Sequence, residues 1–382
     1  MSELKKQNSS KKVIKFLFNL WKISPLPTWT MFTAQIIAVT LNMTVAPIFV
    51  SQLLTRIANG TANLDGSIWL LTGYALSLVV SIVILFNLII GLSYISENKM
   101  QSAVDEKILH YLVSNSLTFH SNRMSGGIVS DTNKLIGSIE RFWDTIVFNI
   151  IPITTTITTV CIVLSFIFWQ YAVALAILSL IIITIVVFAQ SRISPVSRIA
   201  ADKSSKKTAY LADVIGNISA VKAFAMEKVE LTKYKKLIND WRQAETNEMK
   251  GVTKVTATFG LMMTIMNVCA FTAAVVATQY HIANIGTIYL VISYTLNVVS
   301  QLWDVSNTTR SYIRIIGDAG PMIDTLEMDI EIKDTESPEK SKICNGKIEF
   351  KDVCFTHNQN DDALFRQFNL TVKPGEQIGL IG

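Results

Sequence analysis

Residues 375–382 carry the clearest chemical signal in the chain, because they match the approach to a phosphate-binding loop. They read as a turn, a short apolar strand and a final glycine, Gly382. A loop of the pattern G-x-x-x-x-G-K-[ST] begins with a glycine after such a strand, and its backbone N–H groups and lysine hold nucleotide phosphates. Gly382 is therefore a candidate for the first glycine of this loop. The lysine and hydroxyl residue that would follow are not among the 382 residues, so the chain as given is expected not to hydrolyse ATP.

Four long stretches without Asp, Glu, Lys or Arg precede this segment and predict membrane spans. They cover residues 23–55, 66–96, 145–191 and 255–303. A membrane helix needs about 20 mostly apolar residues, so the first two stretches hold one span each and the last two hold two each. Only 16% of the residues are charged, against roughly 25% in soluble domains. The chain is therefore predicted to cross the membrane six times, and buried helices of a soluble protein are a poor alternative.

The basic residues predict the orientation of these spans. Six lysines precede the first stretch, whereas the predicted outer loops contain only Arg56. The positive-inside rule places the amino terminus in the cytoplasm, and six crossings return the carboxyl end to the same side. The predicted location is the plasma (inner) membrane, with both termini cytoplasmic. The net charge of +5 fits this topology and contact with membrane lipid, so nucleic acid is not an expected partner.

The loops between the spans differ greatly in length. Residues 97–144 and 192–254 carry charges on all sides and few helix breakers, which indicates that the spans continue as long cytoplasmic helices. About 25 helical residues in each direction would reach roughly 37 Å from the membrane. The outer loops are short, which argues against a receptor that binds its ligand through an external domain.

The two ends of the chain have residue patterns that differ from those of the spans. Residues 13–22 predict an amphipathic helix that lies in the membrane interface, with Val13 and Leu17 on its apolar side. A simple polar lead-in to the first span is an equal alternative. Residues 348–355 and 368–372 alternate like strands on either side of a polar turn. We therefore predict four parts: a cytoplasmic tail and interfacial helix (1–27), a six-span domain (28–318), a linker (319–345) and an incomplete nucleotide-binding domain (346–382).

This order of elements resembles the ATP-binding cassette (ABC) exporters, in which a half-transporter joins six spans to one nucleotide-binding domain. The most specific match covers residues 348–355, 369–376 and 378–382, which resemble the opening β-subdomain that leads into the Walker A loop. The expected fold is mainly α: a six-helix polytopic membrane domain with long cytoplasmic extensions, then the first strands of a P-loop domain. The resemblance implies ATP and Mg²⁺ as cofactors of the complete protein, with neither competently bound by this chain alone. It also implies a homodimer or a pair with a homologous half-transporter.

Two segments of the inner loops resemble the short coupling helices that dock into the nucleotide-binding domains of the family. In the first inner loop they are Phe119 and His120. In the second they are Val221, Lys222 and Phe224, which the resemblance brings to the partner subunit. Without the family, Phe119 and Phe224 are exposed aromatic residues at loop tips, and ordinary packing of a helical hairpin is the alternative.

Further candidates concern adenine and substrate. The family commonly stacks an aromatic residue, usually tyrosine, on adenine, and the matching position here is His357; a solvated turn histidine is the alternative. Tyr294, Asn297 and Gln301 share one helical face, at spacings of three and four residues. They are candidates to line a translocation path, although amides also join helices by hydrogen bonds. The four cysteines lack metal-ligand spacing, so they are predicted to be structural and no metal site is expected.

The leading hypothesis is the membrane-spanning part of an ATP-driven exporter that moves an amphipathic substrate outward by alternating access. That substrate could be a lipid, a lipid-linked sugar, a peptide or a drug. A rival is a non-enzymatic, permease-like partner that uses the ATPase of a separate nucleotide-binding chain, or an inactive truncated remnant. An NAD-binding membrane enzyme, with residues 378–382 opening a G-x-G-x-x-G turn, is a third and weaker alternative, because the preceding strands fit the cassette better.

Overall fold

The computed structural model describes residues 2–121, 125–279, 284–330, 346–356 and 363–379. The chain divides into a helical unit, residues 1–330, and a second unit, residues 331–382. The described helices of the first unit are α1 (Ser2–Asn19), α2 (Pro25–Val39), α3 (Ala46–Ala58), α4 (Leu64–Leu78), α5 (Phe86–Val113), α6 (Leu117–Ser121), α7 (Ser125–Thr145), α8 (Ile151–Ile167), α9 (Trp169–Gly216), α10 (Ile218–Ala223), α11 (Glu227–Gln279) and α12 (Ile285–Leu326).

Six helical segments in the described part of the chain are long and apolar enough to cross a membrane. The pairs α2–α3, α4–α5 and α7–α8 are each continuous and form spans 1 to 3, and α9, α11 and α12 form spans 4 to 6. Residues 59–63 turn the chain between spans 1 and 2, and the single residue Phe168 separates α8 from α9. The prediction of six spans with helices that extend well beyond the apolar stretches is confirmed.

Two spans contain a widened helical turn next to a proline. A π-helical turn at Thr40–Val45 joins α2 to α3 just before Pro47, and another at Ile146–Ile150 joins α7 to α8 just before Pro152. Proline has no backbone N–H, and its ring clashes with the carbonyl four residues earlier. The regular ladder is therefore interrupted, and a turn closed over five residues replaces it. The carbonyl of Met43, four residues before Pro47, loses its usual backbone donor.

The amino-terminal helix α1 packs on protein, whereas the sequence predicted that its apolar side lies on lipid. Val13 and Leu17 are buried in one cluster with residues of α5, α7 and α12, including Trp143. The Lys12 ammonium group forms ion pairs of 2.7 Å and 2.8 Å with carboxylates of Asp324 and Glu327 at the end of α12. Hydrogen bonds to these two carboxylates raise the pKa of Lys12. The reason for the difference is that α12 and α7 offer an apolar surface that sequence periodicity does not reveal.

Helix α12 continues past residue 318, where the sequence analysis drew the boundary of the membrane domain. Ala319, Met322 and Ile323 are buried against the cluster that holds α1. The first residues of the predicted linker are therefore helical and packed. Of the segment that follows, residues 331–345 lie outside the described part of the chain.

The second unit contains the strands β1 (Ile348–Phe355) and β2 (Phe365–Val372), which pair antiparallel. The register places Ile348 opposite Val372 and is irregular around Asp352, whose φ is +48°. These are the alternating segments that predicted strands, so this part of the prediction is confirmed. Ile378 and Gly379, predicted to open a third strand, are not in a strand, because a strand needs a hydrogen-bonded neighbour and the described residues supply none there.

Candidate coupling and translocation sites

The tip of the second inner hairpin presents Phe224 to solvent. Helix α9 ends at Gly216, the short helix α10 crosses the tip, and α11 begins at Glu227. The Phe224 side chain is 76% exposed. It follows α10 directly and precedes Ala225, which adopts a positive φ of 51°. A non-glycine residue in this conformation costs roughly 1 kcal/mol or more, so the backbone of this turn is held by its surroundings.

Hydrogen bonds and an ion pair hold that turn. The Met226 N–H donates to the Val221 carbonyl at 2.9 Å, closing the chain around Phe224. The Lys222 ammonium group lies 3.0 Å from a carboxylate oxygen of Glu227 at the start of α11. Lys222 is thereby turned toward its own hairpin, Val221 is half-buried, and Phe224 is the most exposed large apolar side chain of the tip.

Aromatic residues clamp the two helices beneath this tip. The rings of Tyr210 on α9 and Tyr234 on α11 stack with centroids 6.3 Å apart, and the Tyr210 hydroxyl donates to the Glu230 carboxylate. A cavity of about 260 Å³ lies between this clamp and α10. These contacts join the two long helices close to their ends.

The tip of the first inner loop is packed more closely than the sequence suggested. Phe119 on α6 is half-buried, and its ring meets Tyr111 with centroids 6.2 Å apart. The His120 ring nitrogen Nε2 lies 2.9 Å from the Leu112 carbonyl, and the Tyr111 hydroxyl donates to the Met328 carbonyl at 3.1 Å. The Phe119 ring folds back on α5, which is the packing alternative that the sequence left open. A coupling role for Phe119 and His120 stays a prediction.

The face of α12 that carries the predicted path residues meets span 1. Tyr294 is fully buried, and its hydroxyl donates to the Thr44 carbonyl at 2.8 Å. The Asn297 amide donates to the Met43 carbonyl at 2.9 Å, and Gln301 is half-buried one turn further along. The structure thus places Tyr294 and Asn297 in a helix–helix contact, which is the alternative that the sequence left open. A role for these three residues in lining a path stays a prediction.

The Asn297 contact has a specific local cause. Met43 is the residue whose carbonyl loses its backbone donor to Pro47, and the Asn297 amide supplies the missing hydrogen bond. A buried carbonyl without a partner costs about 1–3 kcal/mol. Span 6 therefore completes the backbone hydrogen bonding of span 1 at its widened turn.

The predicted nucleotide contacts cannot be placed. His357 and Gly382 both lie outside the described residues, so adenine stacking and the phosphate-binding loop stay predictions. In the described ranges no three His, Cys, Asp or Glu side chains come together in a way that could hold a metal ion.

A charged cavity between α9, α11 and α12 was not predicted from the sequence. It has a volume of about 770 Å³, and its lining includes Arg310 and Arg314 of α12 and Glu245 and Glu248 of α11. The available signal was the spacing of four residues between the arginines and of three between the glutamates, which puts each pair on one helical face. Nothing in the sequence shows that the two faces meet.

The sequence profile of the family described as "ABC transporter transmembrane region" matches residues 29–302. The match covers more than half of the chain and reaches all six spans, ending within α12, and it includes the long inner extensions that carry α6 and α10. The chain belongs to this family.

Three relatives illustrate the range of the family. The "Iron-sulfur clusters transporter atm1, mitochondrial" of Neurospora crassa is 24% identical over 286 residues, which are 73% of this chain and 39% of that protein. "ATP-binding cassette sub-family B member 6" of Rattus norvegicus is 24% identical over 73% of this chain and 33% of its own length. A "Putative multidrug export ATP-binding/permease protein" of Staphylococcus aureus is 21% identical over 75% of this chain and 50% of its own length.

The chain therefore spans between a third and a half of these relatives. Among solved structures, the "Structure of a bacterial Atm1-family ABC exporter with ATP bound" superimposes with a TM-score of 0.71 at 17% identity. The superposition covers 93% of this chain and 62% of the bacterial exporter chain. This likeness establishes the exporter fold for the ABC transmembrane region described above.

Proposed function

We propose that this chain is the membrane-spanning part of an ATP-driven exporter that moves an amphipathic substrate outward by alternating access. The observation that carries the proposal is Phe224, an aromatic side chain that is 76% exposed at the far end of a helical hairpin. A large apolar group that is mostly exposed in that position contributes little burial to the hairpin itself. It is suited to insert into a pocket of another domain.

The lengths of α9 and α11 suit a rigid lever between the tip of the hairpin and the membrane. Residues 192–216 of α9 continue beyond the uncharged stretch, and at 1.5 Å per residue they reach roughly 37 Å from the membrane. Helix α11 returns over a comparable distance, and the Tyr210–Tyr234 stack fastens the two helices together. A displacement at the tip is therefore carried along both helices into spans 4 and 5.

The proposed cycle requires partners beyond this chain. Two copies, or this chain and a homologous half-transporter, enclose the substrate cavity, and ATP with Mg²⁺ binds between nucleotide-binding domains. ATP can drive the change only because it binds the closed arrangement more tightly than the open one. The proposed location is the plasma membrane, with both termini in the cytoplasm. The name of the Staphylococcus aureus relative includes multidrug export and that of the Neurospora crassa relative says transporter, which supports transport as the class of activity and does not select a substrate.

Phe224→Ala tests the proposal in the complete protein with its nucleotide-binding domain, reconstituted into proteoliposomes. An aromatic residue docked in a pocket typically costs about 2 kcal/mol or more when truncated. We expect basal ATP hydrolysis to persist while substrate-stimulated hydrolysis and transport fall together. The measurement is the ratio of substrate transported to ATP hydrolysed.

A matched control is Phe166→Ala, which removes an aromatic side chain that is 87% exposed at the opposite end of the spans, close to the turn at Phe168. It should leave the transport ratio unchanged. Full stimulation and unchanged transport in a well-expressed Phe224→Ala variant would refute the proposed transmission through this tip.

A further inference from the structure

The cavity between α9, α11 and α12 has the features of a binding site for a ligand of defined charge. The cavity begins where the apolar stretches of the spans end. Gln190, the α9 residue of the lining that lies in the uncharged stretch, is only 5% exposed. Arg192 is the first charged residue of α9 beyond that stretch. Small residues of α9, among them Ser197, Ala201 and Ser204, form one side and leave the space open. A volume of about 770 Å³ lies within the range of pockets that hold small molecules.

The α12 side of the cavity is positively charged. Arg310 donates one hydrogen bond, at 2.6 Å, to the Asn307 side chain, which leaves most of its five N–H donors available. Arg314 lies 3.5 Å from Asp318, whose same carboxylate oxygen already receives Arg141 at 2.8 Å. One carboxylate thus serves two guanidinium groups, so positive charge remains in excess on this side.

The α11 side is negatively charged and carries an aromatic surface. Glu245 is exposed, and Glu248 is half-buried and accepts a hydrogen bond from the Ser197 hydroxyl at 2.7 Å. Trp241, one turn before Glu245, holds its ring against the ammonium group of Lys207 at 3.8 Å. The ring and the carboxylates form one stripe along α11, because they follow one another at spacings of four and three residues.

These opposite charges share a cavity without neutralising each other. Among the described residues no ion pair joins Arg310 or Arg314 to Glu245 or Glu248. A singly charged amphiphile would meet attraction from one side and repulsion from the other, whereas a ligand with both charges would satisfy both.

We propose that this cavity binds a zwitterionic ligand, with its anionic group at Arg310 and Arg314 and its ammonium group at Glu245. The inference rests on the proposed export function only in treating the ligand as a transport substrate. The shared chemistry is that of a phosphoethanolamine lipid headgroup or of a short peptide with free ends. Trp241 and Ile313 supply the apolar contact for the rest of either molecule.

Direct binding tests the proposal in dodecyl maltoside micelles, whose headgroup is uncharged. The lipid probes are tritiated lysophosphatidylethanolamine and lysophosphatidylglycerol with the same acyl chain, which are zwitterionic and anionic. The peptide probes are tetra-alanine with free ends and tetra-alanine with acetyl and amide ends. We expect a zwitterionic probe to bind about tenfold more tightly than its matched probe, and the pair that shows this preference identifies the source as lipid or peptide.

Substitutions then assign the two sides. The double substitution Arg310→Ala with Arg314→Ala should weaken binding of the preferred probe about tenfold. Glu245→Lys should reverse the lipid preference toward lysophosphatidylglycerol, a gain of binding that misfolding cannot produce. The matched control is Arg242→Ala, an arginine on the exposed surface of α11 outside this cavity, which should change neither affinity nor preference.

Equal affinity within both probe pairs would overturn the proposal. Binding that is insensitive to the arginine and glutamate substitutions would also overturn it, because the preference would then arise elsewhere. These measurements need neither ATP nor transport. Failure here therefore leaves the export proposal standing, and failure of the Phe224 experiment leaves this binding site standing.

Discussion

The hydrogen bond from Asn297 to the carbonyl of Met43 should be worth measurable stability because Pro47 creates the need for it. Asn297→Leu keeps the volume of the side chain and removes its donor. Leaving a buried carbonyl unpaired costs about 1–3 kcal/mol, and hydrogen bonds between membrane helices contribute roughly 0.6–1.7 kcal/mol. The 2.9 Å bond from a half-buried amide puts the expected loss at about 1–2 kcal/mol in the free energy of unfolding.

The proline provides the decisive comparison. Pro47→Ala restores a backbone N–H that can return to the Met43 carbonyl, so Asn297→Leu should then cost less than about 0.5 kcal/mol. The assay is equilibrium unfolding of the four proteins of this cycle in bicelles, by titration with sodium dodecyl sulfate. The coupling energy should be about 1 kcal/mol.

A second amide serves as the control. Asn87 is exposed on span 2, and it donates at 2.7 Å to the Val83 carbonyl of its own helix. Asn87→Leu should leave stability nearly unchanged in both backgrounds. Strictly additive costs of Asn297→Leu and Pro47→Ala would refute the reasoning, because the amide would then not be compensating for the proline.

Three further predictions concern topology and packing. After replacement of the native cysteines, an impermeant thiol reagent should modify Asn63→Cys in intact cells and leave Phe224→Cys unmodified; the reverse pattern would overturn the orientation. Lys12→Glu places a third negative charge beside two carboxylates of α12 and should release α1, measured as faster tryptic cleavage within it; an unchanged rate would show that the apolar contacts suffice. Gly286→Ala would bring a Cβ to 2.4 Å from the Ser51 carbonyl oxygen, so it should destabilise the contact of spans 1 and 6 by about 1–3 kcal/mol, measured by the same unfolding assay; unchanged stability would show that the two helices separate freely.

The sequence predicted well the features that depend on whether a segment lies in lipid or in water. Long stretches without charge must lie in lipid, so the six spans and their extended inner ends were predictable from composition alone. Alternating residues likewise predicted β1 and β2. The exposure of Phe224 at the turn of a charged hairpin was predictable, whereas the same reasoning did not anticipate the contact of Phe119 with Tyr111.

Features that depend on contacts between distant segments were not predictable. Asn297 meets a carbonyl 254 residues earlier in the chain, and only the alignment of span 6 against span 1 selects that contact over a path-lining role. Helical periodicity identified the apolar side of α1 but not whether lipid or protein covers it. The charged cavity was unpredictable for the same reason, because the sequence of each of its sides is that of an ordinary solvated helix face.

The docking of α1 on α12 also sets an order of events during synthesis. Lys12 and Asp324 are 312 residues apart, and a ribosome adding ~5–20 residues per second needs roughly 15–60 seconds to make the chain between them. During that interval the face of Val13 and Leu17 has been made and its last partner has not. The membrane surface is the apolar phase within reach, so we expect α1 to rest there until α12 is complete. The same amphipathic face would then meet lipid during synthesis and protein in the finished fold.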